Sequence, residues 1–403
     1  MKVAFLTTHP IQYQVPVFRA LSGEPDIDLT VLFAMIPDAA QQGAGFGVAF
    51  EWDLPLLDGY AHRTLQNVAR DPSVTRFAGC DCPDIGTALD ELQTDVLVIN
   101  GWNAKSCLQG LWAAKRRGLR TVVRGEANDL RERAWWKRRL QSHLVRRFDA
   151  AGFIGEANRR FYLDRGLRGS QLFPARYCIE NDRFARAIDD GERERVRRQR
   201  GIPDDAVCFL FSGKLEPKKH PAKMIAAFLR AAAVAEPDGR RLHLLLVGDG
   251  PLRAECEAAA GGCEAISFAG FVNQTQIPGL YAASDCLILP SDAGETWGLV
   301  VNEAMACGRP AIVSDLAGCH LDLITPSQTG WTFPFGDWDA LADRIAAAAA
   351  ADLPAVGRAA RERIADYSPE RAAAGLAESI RAVAGTGRRV SAAEPVPAGG
   401  GHG

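Results

Sequence analysis

Apolar residues fall into two patterns along the chain. Short aliphatic and aromatic runs alternate with longer stretches whose apolar positions recur at helical spacing. The short runs predict strands over 3–7, 29–33, 96–99, 121–124, 151–154 and 172–176 in the first half. In the second half they predict strands over 207–212, 242–247, 266–269, 286–289, 311–314 and 331–333. Runs such as Leu242-His-Leu-Leu-Leu-Val247 lack an in–out alternation, which suits strands covered by helices on both faces. The fold class read from this is α/β, with two doubly wound, Rossmann-like domains. Such sheets bind ligands beyond the carboxyl ends of their strands.

Length and composition refine the division. The chain has 403 residues, more than one core usually serves, so two domains are expected. A first domain is read over 1–185, a charged linker with a surface helix over 186–200, and a second domain over 201–366. A helix over 367–385 is expected to pack back toward the first domain, and the Gly/Pro/Ala-rich end, 386–403, reads as a disordered tail. With 47% hydrophobic and 24% charged residues the composition is that of a globular protein. A net charge of −2 gives no general nucleic-acid footprint, so no nucleic-acid partner is expected. The ten cysteines show no CxxC and follow no secretory start, so they read as buried thiols in a reducing cytoplasm. No metal ligand set is expected.

Three segments carry candidate chemistry. Ser212-Gly-Lys-Leu-Glu-Pro-Lys-Lys-His-Pro221 follows a strand, with Gly213 at its end and Lys214, Lys218 and Lys219 close behind. That concentration of positive charge suits a diphosphate; the plainer reading is a solvated basic turn. Gly248-Asp-Gly-Pro-Leu-Arg253 has Arg where a third glycine of a dinucleotide fingerprint belongs, so it reads first as a tight strand-to-helix turn. The third segment, 291–310, places Glu295 in a loop between Gly294 and Gly298, and Glu303 one turn into a helix that begins near Leu299. The amides around Thr296, Trp297, Gly298 and Leu299 then form a helix N-terminus, which favours anions. Together these groups can hold sugar or ribose hydroxyls and phosphate.

Gly213-Lys214…Lys219, Val247-Gly-Asp-Gly-Pro251, Gly270-Phe271-Val272, Tyr281-Ala-Ala-Ser-Asp285 and Glu295-x7-Glu303 occur in that order. In this the sequence resembles the retaining nucleotide-sugar glycosyltransferases of the GT-B fold, the large family-four group, strongly over 170–335. The resemblance implies two domains facing a central cleft, with a nucleoside diphosphate-sugar as donor substrate and neither cofactor nor metal. It implies that Lys214 and Lys219 neutralise the donor diphosphate and that Glu303 binds the ribose hydroxyls. Glu295 would contact the transferred sugar, amides after Thr296 would receive phosphate oxygens, and backbone groups around Phe271 and Val272 would hold the base. Lys214 stands where the family usually has Arg, which keeps the charge and loses the bidentate fork.

Two departures concern the first domain. The loop Thr8-His-Pro-Ile-Gln-Tyr-Gln-Val-Pro16 lacks the family's glycine pair, and Arg124-Gly125-Glu126 occupies the place of a family histidine. Glu126 or His9 is therefore read as contacting the acceptor or the transferred sugar, Glu126 as a catalytic residue beside Glu295, Lys214 and Lys219, with His9 and Gln12 on the acceptor side.

The segment 131–148 holds seven Lys/Arg and one Glu, with Trp136, Leu140, Leu144 and Phe148 at four-residue spacing. It reads equally as a core helix with a solvated face or as a basic amphipathic helix for an anionic membrane surface. The leading expectation is a bacterial polysaccharide or cell-envelope glycosyltransferase acting on a saccharide or lipid-linked acceptor. It would work in the cytoplasm, with contact to the inner face of the cell membrane. A nucleotide-sugar epimerase and a non-catalytic nucleotide-sugar-binding protein are the alternatives.

Overall fold

In the computed structural model, which describes residues 1–43, 49–189, 192–235 and 239–385, the short apolar runs become the strands of two parallel sheets. The first contains β1 (Lys2–Thr7), β2 (Asp28–Phe33), β3 (Ala61–Thr64), β4 (Val96–Ile99), β5 (Arg120–Arg124), β6 (Ala150–Phe153) and β7 (Leu172–Pro174). Its strand order is β3-β2-β1-β4-β5-β6-β7. The second contains β8 (Val207–Ser212), β9 (Leu242–Val247), β10 (Ile266–Gly270), β11 (Cys286–Leu289), β12 (Ala311–Ser314) and β13 (Gly330–Phe333). Its order is β10-β9-β8-β11-β12-β13. The α/β class with two doubly wound domains is thus the observed architecture. Central strands such as β4 and β11 are buried at every position because helices cover both faces.

The apolar pattern misses β3, whose residues Ala-His-Arg-Thr are mostly exposed. As an edge strand beside β2 it carries no apolar run to betray it. The charged run read as a linker is also more than that. The helices Asn181–Asp189 and Glu192–Arg200 both pack against the helix Ile277–Ala283 of the second domain. Arg197 is buried, and its guanidinium donates to the carbonyls of Ala283 at 3.0 Å, Pro203 at 2.6 Å and Ala206 at 2.6 Å. Arg193 reaches Asp285 Oδ1 at 2.7 Å, while Asp285 Oδ2 accepts the Cys208 amide at 2.8 Å. These arginines clamp the amino-terminal edges of β8 and β11, so their charge is structural as well as solvated. The tail 386–403 lies outside the described residues.

The helix Pro369–Gly385 returns to the first domain, packing on the helix Val15–Ser22 and on strands β5, β6 and β7. Its seat needs glycine: a Cβ at Gly375 would stand 1.8 Å from the Pro174 carbonyl oxygen. Arg381 anchors the far end on Glu24 and Asp26, both across the first domain's surface. Gly375→Ala is therefore expected to cost about 1–3 kcal/mol of stability through overpacking. Gly385→Ala, which meets nothing within 4 Å, is expected to cost nothing; urea unfolding followed by circular dichroism distinguishes the two.

Candidate active site

The carboxyl ends of both sheets turn toward one another, and a cavity of about 850 Å³ lies between them. From the first domain it is lined by the loop after β1, including His9, Gln12 and Tyr13, and by Glu51, Trp52 and 54–58. From the second it is lined by Ser212, Gly213 and Lys214 after β8, by Gly248 after β9, by Phe271 and Val272 after β10, and by Val300 and Glu303. Eight of the predicted site residues therefore meet in one space: His9, Gln12, Gly213, Lys214, Gly248, Phe271, Val272 and Glu303. Glu126, Lys219, Glu295, Thr296, Trp297, Gly298 and Leu299 do not line it.

Backbone geometry explains why the loops converge. Gly248 has φ +122°, and a Cβ there would lie 2.0 Å from the Gly213 carbonyl oxygen. The Gly213 amide in turn donates to the Val247 carbonyl at 2.9 Å. The glycine of this strand-to-turn segment is thus required by the close approach of two backbones, as the plainer reading of its motif held. That approach sets Lys214 at the cavity wall. Burial lowers the pKa of Lys214, and the neighbouring cations Lys218 and Lys219 act in the same direction against Glu216.

Glu303 is 1% exposed, one turn into the helix Leu299–Ala306. Its Oε2 accepts the Tyr281 hydroxyl at 2.5 Å and its Oε1 accepts the Tyr13 hydroxyl at 2.9 Å. Burial raises the Glu303 pKa, partly offset by these two hydrogen bonds and by Arg183. Both tyrosine hydroxyls are held well above their ordinary pKa, by burial first and by Glu303 second. Tyr13 and Tyr281 were not singled out as site residues. The Tyr281 motif offered a signal; Tyr13 offered none, since its partner lies 290 positions away.

Glu295 behaves differently. Its Oε2 accepts from Lys219 Nζ at 2.6 Å, with side-chain exposures of 15% for Glu295 and 10% for Lys219. Burial pushes the carboxyl up, but Lys219 and Lys218 outweigh it and hold Glu295 below the usual glutamate value. Lys219 is consequently committed to an ion pair, while Lys214 is the predicted phosphate ligand that faces the cavity. The side chain of Trp297 belongs to the core: it is 2% exposed and its Nε1 donates to Asn302 Oδ1 at 2.9 Å. The backbone of 296–299 leads into the helix Leu299–Ala306 without lining the cavity. Gly298, at φ +104°, starts the helix.

The first domain's Glu126 is held on both oxygens, by Tyr177 Oη at 2.5 Å and by Thr296 Oγ1 at 2.7 Å. Asn128 Nδ2 adds a bond to the Thr296 carbonyl at 3.1 Å. Glu126 thus grips the loop that carries Glu295. His9 bonds Thr8 Oγ1 at 2.9 Å, and burial lowers its pKa to about 4, so it is neutral at pH 7. Among the described residues no three His, Cys, Asp or Glu side chains gather as a metal site would need.

Residues 192–371 match the family model described as Glycosyl transferases group 1. Alpha-D-kanosaminyltransferase of Streptomyces kanamyceticus is 28% identical over 201 residues, 48% of this chain and 49% of that protein. A GDP-mannose-dependent alpha-mannosyltransferase of Mycobacterium tuberculosis is 33% identical over 162 residues, 39% of each chain. The chain spans about half or less of the curated relatives it matches. In fold, a glycosyltransferase from Rickettsia africae superposes with a TM-score of 0.72 at 12% identity, covering 95% of this chain and 98% of that one. The Anabaena protein HepE in complex with UDP and glucose gives 0.70 at 18% identity, covering 94% and 99%.

The ion pair yields a prediction. Because Glu295 lies below its usual value of 4.5 in the fold, its contribution to stability is complete above that value and is lost as pH falls below it. Lys219→Met leaves the carboxylate buried without its partner, so it should cost about 3 kcal/mol near pH 7. The difference from the wild type should shrink as the pH is lowered through the acid range. Urea titrations between pH 3 and 7 test this, and a pH-independent difference would contradict it. Family match and architecture agree with the motif pattern of Gly213 to Glu303: residues 192–371 match the Glycosyl transferases group 1 model, on a chain with the GT-B fold.

Proposed function

We propose that the chain is a retaining glycosyltransferase, moving a sugar from a nucleoside diphosphate donor to a saccharide or lipid-linked acceptor. The observation that carries this is the composition of the interdomain cavity: Lys214, Glu303 and the backbone around Phe271 and Val272 border one space. That set offers one cation for a diphosphate, one carboxylate for ribose hydroxyls and main-chain groups for a base. The relatives support the donor class, since one is named for GDP-mannose and HepE is seen with UDP. Negative charge grows on the diphosphate as it leaves, so Lys214 and the helix N-terminus at Gly298 stabilise departure more than binding. In this reading no metal is required. Glu295, fixed by Lys219 and Ser291, stands at the transferred sugar, and Glu126 positions its loop from the acceptor side. His9 and Gln12 line the same space and, in this reading, face the acceptor.

The setting proposed is bacterial polysaccharide or envelope assembly at the cytoplasmic face of the membrane. No helix among the described residues is long and apolar enough to cross a bilayer. The basic segment forms the helix Trp135–Val145, shorter than the 131–148 predicted. Trp135 is 75%, Trp136 53% and Leu140 63% exposed. Of the four apolar positions read as one stripe, only Phe148 is buried in the core, while Leu144 is partly so. An exposed tryptophan pair beside Lys137, Arg138 and Arg139 is the arrangement that an anionic lipid surface favours. The loop leading to this helix reaches the cleft through Asn128 and Thr296, so a lipid surface there would bring its acceptor to the donor.

Thermal shifts with UDP, GDP, dTDP, ADP and CMP, each with and without magnesium, test the cleft. One nucleotide is expected to raise Tm without magnesium. Glu303→Ala should lose that shift, whereas Glu295→Ala should keep it and lose transfer; equal behaviour of both variants with the wild type would refute the assignment. NMR of the product is expected to show the donor's anomeric configuration, and conversion of the donor alone to its epimer would point to an epimerase. The Trp135→Ser/Trp136→Ser protein should bind phosphatidylglycerol vesicles several-fold more weakly, and a wild type that ignores such vesicles would contradict the membrane contact.

A further inference from the structure

The two tyrosines on Glu303 are not equivalent. Tyr281 belongs to the same domain as Glu303, is fully buried, and is fixed within the helix Ile277–Ala283. Tyr13 comes from the opposite domain, on the loop after β1, and is partly exposed where it lines the cavity. The carboxylate oxygen it satisfies, Oε1, is therefore the one that a ligand in the cavity could reach. The other oxygen is already tied to a side chain that cannot move away without disturbing the core.

A buried carboxylate oxygen without a donor is costly. While no nucleotide is bound, some O–H or N–H has to serve Oε1, and the contact with Tyr13 does so. A phenol hydroxyl and a ribose hydroxyl are the same kind of partner: one O–H presented by a rigid ring. We infer that Tyr13 is a placeholder for a ribose hydroxyl, giving up Oε1 of Glu303 when a nucleotide enters. The inference rests on the reading of Glu303 as the ribose ligand. Because Tyr13 and Glu303 belong to different domains, the exchange also releases one tie across the cleft, which links nucleotide entry to the spacing of the domains.

The consequence runs against the usual effect of removing a site residue. Tyr13→Phe keeps the ring and deletes the competing hydroxyl, so the nucleotide-free protein loses a hydrogen bond that the complex does not contain. Affinity should rise about tenfold, equivalent to roughly 1.4 kcal/mol. Calorimetric titration is done with UDP or GDP, whichever shifts Tm, and with its 2′,3′-dideoxy analogue. The tighter binding is expected with the ribonucleotide and absent with the dideoxy analogue, which has no hydroxyl to take over Oε1. Tyr281→Phe, which removes the fixed partner, should instead weaken ribonucleotide binding. Unchanged or weaker binding by Tyr13→Phe, or an equal gain with the dideoxy analogue, overturns the inference. Glu303→Ala separates the two levels: if it retains full ribonucleotide affinity, the reading of the site itself has failed, whereas its loss beside an unaltered Tyr13→Phe leaves that reading standing and removes only the placeholder.

Discussion

Carboxylates at the interface, each satisfied from the other domain, hold the two sheets face to face. Glu303 accepts from Tyr13 at 2.9 Å, and Glu126 from Thr296 at 2.7 Å. Asp322 accepts the Glu156 amide at 2.9 Å, which caps a helix of the first domain from the second. Asp53 accepts the Thr275 amide at 3.1 Å. Removing one partner would leave a charged group without its cross-domain donor, so each bond favours the closed arrangement beyond its own modest strength. The same bonds determine what the cleft offers a ligand, since a carboxylate already engaged yields only by exchange.

Two carboxylates eight positions apart consequently have opposite electrostatic characters. Glu295 sits against Lys219 and is held ionised; Glu303 sits among hydroxyls in a buried pocket and is pushed toward protonation. Environment alone divides them. Their positions follow from one loop and one helix after β11, anchored by the Glu126 and Asn128 bonds to Thr296. An ionised carboxylate paired with a lysine and a carboxyl buried among hydroxyls are different environments, and the chain builds them around the same residue type.

Much of this was readable beforehand, for physical reasons. Parallel strands covered by helices are continuous apolar runs, so the buried ones announce themselves, while β3, exposed at the sheet edge, has no such signature. Glycines 213 and 248 show where the loops turn: both have positive φ, +142° and +122°, and a Cβ at Gly248 would strike the Gly213 carbonyl. Distant pairings are not legible. Nothing local to Tyr13 names Glu303 as its partner, and nothing local to Glu126 shows both its oxygens occupied. The helix Trp135–Val145 shows the limit of periodicity: its spacing was compatible with core and surface alike, and only its position decided that Trp135, Trp136 and Leu140 face outward.

The central claim is that nucleotide binds between the domains, on groups of the second, and displaces Tyr13 of the first from Glu303. Amide hydrogen exchange, read by mass spectrometry with and without the stabilising nucleoside diphosphate, tests it most directly. Slower exchange is predicted in 213–219, 248–252, 271–274 and 296–303 of the second domain, together with altered exchange in 9–14 of the first. Protection confined to segments away from the cavity, or none at saturating nucleotide, would contradict the account.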